Sequence, residues 1–135
     1  MAVEVPEHMT PGMRLVARCM GVFFIATGAF KLVGLSSVKD FFAGVGLPLF
    51  LVPVAGLVEI GFGLLMFRRR TYQYGSIGIL VWMVFAALSH VMTGQRLYLL
   101  FFNAILINLC MWLLEKDPPP FLNVRRPKRA SLGRR

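Results

Sequence analysis

The stretch Leu47–Phe67, LPLFLVPVAGLVEIGFGLLMF, constrains the fold more than any other part of the chain. A helix needs about 20 mostly apolar residues to cross the hydrocarbon core of a bilayer, and this stretch supplies them. Near its middle sits one carboxylate, Glu59. An acid at that depth costs on the order of 3 kcal/mol or more, so it is expected to face the interior of a bundle and to find a partner there. Ala55 and Gly56 lie one turn before Glu59 and Gly63 one turn after it, which places the acid on a stripe of small residues. In membrane helices such stripes mark the face where a neighbouring helix comes close.

Composition places the rest of the chain in the same environment. Of 135 residues, 57% are hydrophobic and 16% charged. Soluble domains carry about 25% charged residues. The net charge of +9 does not indicate nucleic acid, because the basic residues gather at span ends and in the C-terminal tail, where anionic lipid headgroups lie. Cys19 and Cys110 make neither a disulfide framework nor a metal-ligand spacing.

The pattern predicts an all-α fold, a four-helix transmembrane bundle running up-down-up-down. Spans are expected at about 13–33, 47–67, 75–92 and 97–114, within a membrane domain of residues 13–116. A short N-terminal segment, residues 1–12, precedes it, and a basic tail of low expected order, residues 117–135, follows. Gly21 and Gly28 share one face of the first span, as Gly56 and Gly63 do in the second, and both faces are expected to be helix-packing surfaces. Ser36 and Ser37 start a short helical turn, and Gly44, Gly46 and Pro48 break the chain before the second span. Arg68, Arg69 and Arg70 are expected to stop that span at the headgroups, with Tyr72 and Tyr74 at the same level. The short connection Thr93–Arg96 makes the last two spans antiparallel neighbours. Arg14, Arg18, Arg68–Arg70, Lys116 and the tail cations fall on one side, so both termini are expected in the cytoplasm.

Counting depth at ~1.5 Å per residue suggests two polar layers. The inner layer is Arg18, Glu59 and Asn108; the outer is Lys31, His90 and Asn103. On this count Arg18 is the expected partner of Glu59. Lys31 replaces it if the second span sits higher. The two asparagines are expected to act as interhelical glue, and one histidine with one glutamate is too few ligands for zinc.

The runs Gly28–Leu32, Phe41–Pro48 (FFAGVGLP), Gly56–Met66 (GLVEIGFGLLM) and Ala87–His90, in that order, resemble the DoxX-like family of small four-helix membrane proteins. The resemblance covers about Arg14 to Glu115. It implies an integral membrane protein, of a bacterial inner membrane or of the endoplasmic reticulum or plasma membrane in a eukaryote. The family takes its name from a subunit associated with a thiosulfate:quinone oxidoreductase, and a distant branch resembles a receptor chaperone. Two functions follow as expectations. One is an accessory subunit of a quinone-linked membrane redox complex, holding a quinone non-covalently in the cavity between the helices, with His90 and Glu59 exchanging protons with it. The other is a non-catalytic assembly factor for other membrane proteins, alone or as a homo-oligomer. No nucleophile constellation, metal-ligand spacing or cofactor fingerprint is present in the sequence, so the chain is not expected to be an enzyme by itself.

Overall fold

The computed structural model describes residues 9–34, 36–92, 94 and 97–120. The basic run 121–135 and residues 1–8 lie outside the described residues, as does Arg96. Five helices follow one another: α1 (Pro11–Val33), α2 (Ser36–Gly44), α3 (Leu51–Leu65), α4 (Tyr72–Met92) and α5 (Leu97–Lys116). No strand occurs among the described residues.

Local chemistry sets the ends of α1. The Thr10 hydroxyl accepts the Met13 N–H at 3.3 Å, and Pro11 stands at the first position, where no donor is needed. At the other end Gly34 takes φ 74°, a left-handed cap whose N–H returns to the Lys31 carbonyl. The chain then turns through α2 and reaches Gly46, again at positive φ. Leu51, rather than Leu47, opens α3, because Pro48 and Leu49 form a turn first. Pro53 is accommodated in the first helical turn, where its missing N–H leaves no ladder bond unmade.

Helices α1, α4 and α5 are long and apolar enough to cross a membrane, whereas α3 has 15 residues and is shorter than the expected 47–67 span. The α4 helix begins at Tyr72, three residues before the expected start, and α5 runs to Lys116.

Two glycine crossings lock α1 to α3. A Cβ on Gly28 would stand 2.5 Å from the Gly56 carbonyl oxygen, and one on Gly63 would stand 2.8 Å from that of Gly21. The helices therefore touch backbone to backbone, in antiparallel register, and all four expected packing glycines lie in the contact. On α4, Gly75 and Gly78 make the same allowance for Met66 and for the ring of Phe62.

Helices α4 and α5 run antiparallel and are fastened at one end. The Tyr72 hydroxyl donates to Asp117 Oδ2, and Gln73 Nε2 donates to the Asp117 carbonyl at 3.1 Å. Tyr72 and Pro119 are fully buried. Tyr72 thus serves the interior rather than the headgroup layer, and Asp117 and Pro119 pack against the end of α4 beyond Lys116. Near this end Met13, Ala17 and Met20 pack with Met66, Ile79, Cys110 and Leu113 in a closed core. Cys19 and Cys110 are both free, and only Cys110 is buried. Outside, large apolar side chains such as Leu15, Val22, Leu57, Val81, Leu88 and Phe101 stand exposed on every long helix. A water-soluble monomer rarely shows so much contiguous apolar surface.

Candidate functional site

Away from the Tyr72–Asp117 end the bundle opens into a cavity of about 1000 Å³. All five helices contribute to its wall, among them Phe24 and Lys31 of α1, Phe41 of α2, Glu59 of α3, Trp82 and His90 of α4, and Asn103 of α5. Such a volume lies at the upper end of the roughly 300–1,000 Å³ usual for small-molecule sites.

Glu59 is the centre of the polar wall. It is 4% exposed, and both carboxylate oxygens are occupied. Lys31 Nζ donates to Oε2 at 2.6 Å, and the Trp82 indole N–H donates to Oε1 at 2.8 Å. This ion pair joins α1 to α3, and the indole ties α4 to the same carboxylate. Charge-assisted bonds of this kind are about twice as strong as neutral ones.

The register of α3 explains why Lys31, and not Arg18, is the partner. Gly56 is set beside Gly28 and Gly63 beside Gly21, which places Glu59 between the two crossings and higher than a count from Phe67 suggests. Lys31 shares a helical stripe with Phe24 and Gly28. Helical side chains lean towards their own N-terminus, so Lys31 reaches down towards Glu59 and Arg18 leans away from it. Arg18 is exposed and lies with Arg14, Pro11 and Leu15 around a separate small hollow at the other end of α1.

The two expected layers thus become one site. Glu59 joins Lys31, His90 and Asn103 around a single cavity. His90 stands against Phe41, with ring centroids 5.0 Å apart. Asn108 is not part of the site: it is exposed, and its amide donates back to the Ala104 carbonyl of its own helix at 2.8 Å. Asn103, by contrast, is 6% exposed, and its Nδ2 is buried without a hydrogen-bond partner. Arg68, Arg69 and Arg70 are exposed beyond the end of α3, clear of the cavity.

Trp82 is the residue that sequence reasoning missed. Its position, four residues before Ala86 and eight before His90, puts it on the helical face that carries His90. An indole there needs a partner for its N–H. Among the described residues, no group of three or more His, Cys, Asp or Glu side chains is placed to hold a metal ion.

Neither a curated protein nor a solved structure matches the chain. The DoxX family model matches residues 13–92, which span α1 to α4 and carry Lys31, Glu59, Trp82 and His90; α5 with Asn103 lies beyond the match. With that match over more than half of its length, and with three helices long and apolar enough to cross a bilayer, the chain belongs to the DoxX family and is an integral membrane protein.

Proposed function

We propose that this protein is a four-span accessory subunit of a quinone-linked membrane redox complex, and that its interhelical cavity receives the ring of an apolar redox molecule. One observation carries the proposal: a cavity of about 1000 Å³, mostly apolar, with the buried Glu59 carboxylate held by the half-buried Lys31 and Trp82 in its wall. An ionisable group kept inside a membrane bundle is a functional hypothesis by default, since an apolar pair of the same size would stabilise the fold at least as well. His90 lines the same space.

Several features support the four crossings. The α3 helix lies against α1 over both glycine contacts, and its ~22 Å, at about 1.5 Å per residue, is extended by the turns on either side. The N-terminus of α1, the C-terminus of α3, the N-terminus of α4 and the C-terminus of α5 gather at one end. That end carries Arg14, Arg18, Arg68–Arg70 and Lys116, a distribution that favours the cytoplasmic side.

The test is binding by the purified full chain in nanodiscs, followed by activity of its host complex in cells. An alkylated benzoquinone is expected to bind saturably, and Glu59→Gln and His90→Ala are expected to lower the activity of the complex. Absence of quinone binding, together with unchanged activity in both variants, removes the proposal.

A further inference from the structure

We infer that the hollow between Arg14 and Arg18 binds the headgroup of an anionic phospholipid, with the phosphate diester held by the two guanidinium groups and the acyl chains laid along the exposed face of α1. This site is separate from the cavity, and it does not depend on what the cavity holds.

Pro11, Arg14, Leu15 and Arg18 surround a shallow hollow of about 320 Å³ at the N-terminal end of α1. Arg14 and Arg18 stand one helical turn apart, so their side chains are neighbours on one face. Like charges so placed repel each other, and among the described residues no carboxylate forms an ion pair with either. The Arg14 side chain is half-buried. Its Nε is closed off from solvent, and Nη2 donates to the Met9 carbonyl at 3.4 Å. That contact holds the guanidinium in place and leaves further terminal N–H groups to donate. Arg18 is exposed, and its side chain leans towards the turn that carries Arg14. A guanidinium fork matches the oxygens of a phosphate, so two of them one turn apart select a phosphate-bearing anion.

The surroundings of the hollow say what the phosphate is attached to. Leu15 is 64% exposed and Val22 59%, and Ala26 and Ala29 continue the same exposed face along α1. A free phosphate leaves that apolar face uncovered, whereas the chains of a lipid cover it. The headgroup has to be net negative, because a zwitterionic lipid brings a cation of its own to an end of the bundle that already carries Arg68, Arg69 and Arg70.

The full chain, purified in detergent, is titrated with phosphatidylglycerol and with phosphatidylcholine of identical acyl chains, and bound lipid is counted by native mass spectrometry. The wild type is expected to bind phosphatidylglycerol about tenfold more tightly. Arg18→Gln is expected to lose most of that preference; Arg14→Gln is the second variant should the first fail to fold. Arg18→Lys keeps the charge without the fork and is expected to fall between the wild type and Arg18→Gln. Arg69→Gln removes a charge from the same end of the bundle without touching the hollow, and is expected to keep the preference. A wild type that binds both lipids equally overturns the site, as does an undiminished preference in folded Arg18→Gln. Equal losses in Arg18→Gln and Arg69→Gln also overturn it, because they assign the preference to the overall positive field of that end. Inorganic phosphate that displaces phosphatidylglycerol at equal concentration overturns the assignment to a lipid.

Discussion

The two helix seams of this bundle are built on opposite principles. Along α1–α3 the backbones touch at Gly21–Gly63 and Gly28–Gly56, and a salt bridge stands between Lys31 and Glu59. Along α4–α5 larger side chains such as Ile79, Met83, Leu106 and Cys110 fill the seam, and the polar bonds collect at one end, from Tyr72 and Gln73 to Asp117. A seam that permits one backbone register can hold a carboxylate against an ammonium at 2.6 Å. Away from the Tyr72–Asp117 end the α4–α5 pair stands off from the α1–α3 pair, and the cavity opens between them, with Trp82, His90 and Asn103 on one wall and Lys31 and Glu59 on the other. Precision on one side and room on the other are what a binding site between helices needs.

The sharpest way to break this contrast is to put bulk into the rigid seam. Gly28→Leu drives a branched side chain into the Gly56 carbonyl, and neither backbone can give way without parting the helices. Overpacking costs typically 1–3 kcal/mol, and more where the obstacle is backbone, so loss of monodisperse protein on size exclusion is expected. Gly61→Leu is the control. It lies on the same helix, two residues from Gly63, and a Cβ there meets nothing within 4 Å. If both variants behave alike, the seam is not set by backbone contact.

Next in size is the ion pair. Lys31→Met leaves Glu59 buried with only the Trp82 indole, and stranding one partner of a buried pair costs about 3–5 kcal/mol. The double variant Lys31→Met/Glu59→Gln is expected to recover much of the loss, because it strands no charge. Thermal unfolding in detergent measures both. A double variant no more stable than Lys31→Met shows that the pair contributes something other than mutual neutralisation.

How much of this was legible in the sequence follows from the same contrast. A lone acid in a run of apolar residues, flanked by glycines, announced a buried and paired Glu59, and the spacing of Gly21, Gly28, Gly56 and Gly63 announced the faces on which the two helices meet. The identity of the partner was not legible from depth. Counting residues from the ends of an apolar stretch assumes that helices share a common floor, whereas the glycine crossings raise α3 against α1 and bring Glu59 within reach of Lys31. Tyr72 shows another limit. Its place after three arginines reads as an interfacial anchor, but its burial depends on Asp117, a residue 45 positions away that composition does not connect to it.

On the looser seam the effects are smaller. Tyr72→Phe removes the hydroxyl that holds Asp117, and a hydrogen bond to a charged group contributes about 1.5–3 kcal/mol. Stability is expected to drop by an amount near the lower end, with hydrogen exchange rising at Asp117 and the last turn of α5. Because Tyr72 does not line the cavity, affinity for a cavity ligand is expected to stay unchanged. A weakened affinity means that the fastening also sets the width of the open end.

The smallest effect, and the most informative, comes from the two asparagines of α5, which look alike in sequence five residues apart. Asn108 is exposed and closes its own hydrogen bond to Ala104, so Asn108→Leu exchanges a satisfied amide at the lipid face for an apolar chain, with an expected change within about 0.5 kcal/mol. Asn103 is buried with an unmade bond, so the empty protein already bears the cost of its desolvation. Asn103→Leu relieves that cost, and a gain of up to about 1 kcal/mol is expected in ligand-free protein. A melting curve of each variant reads both signs. Asn103→Leu melting below the wild type means that the Asn103 amide holds the bundle together through a bond of its own; melting above it means that the buried amide is a cost the fold carries.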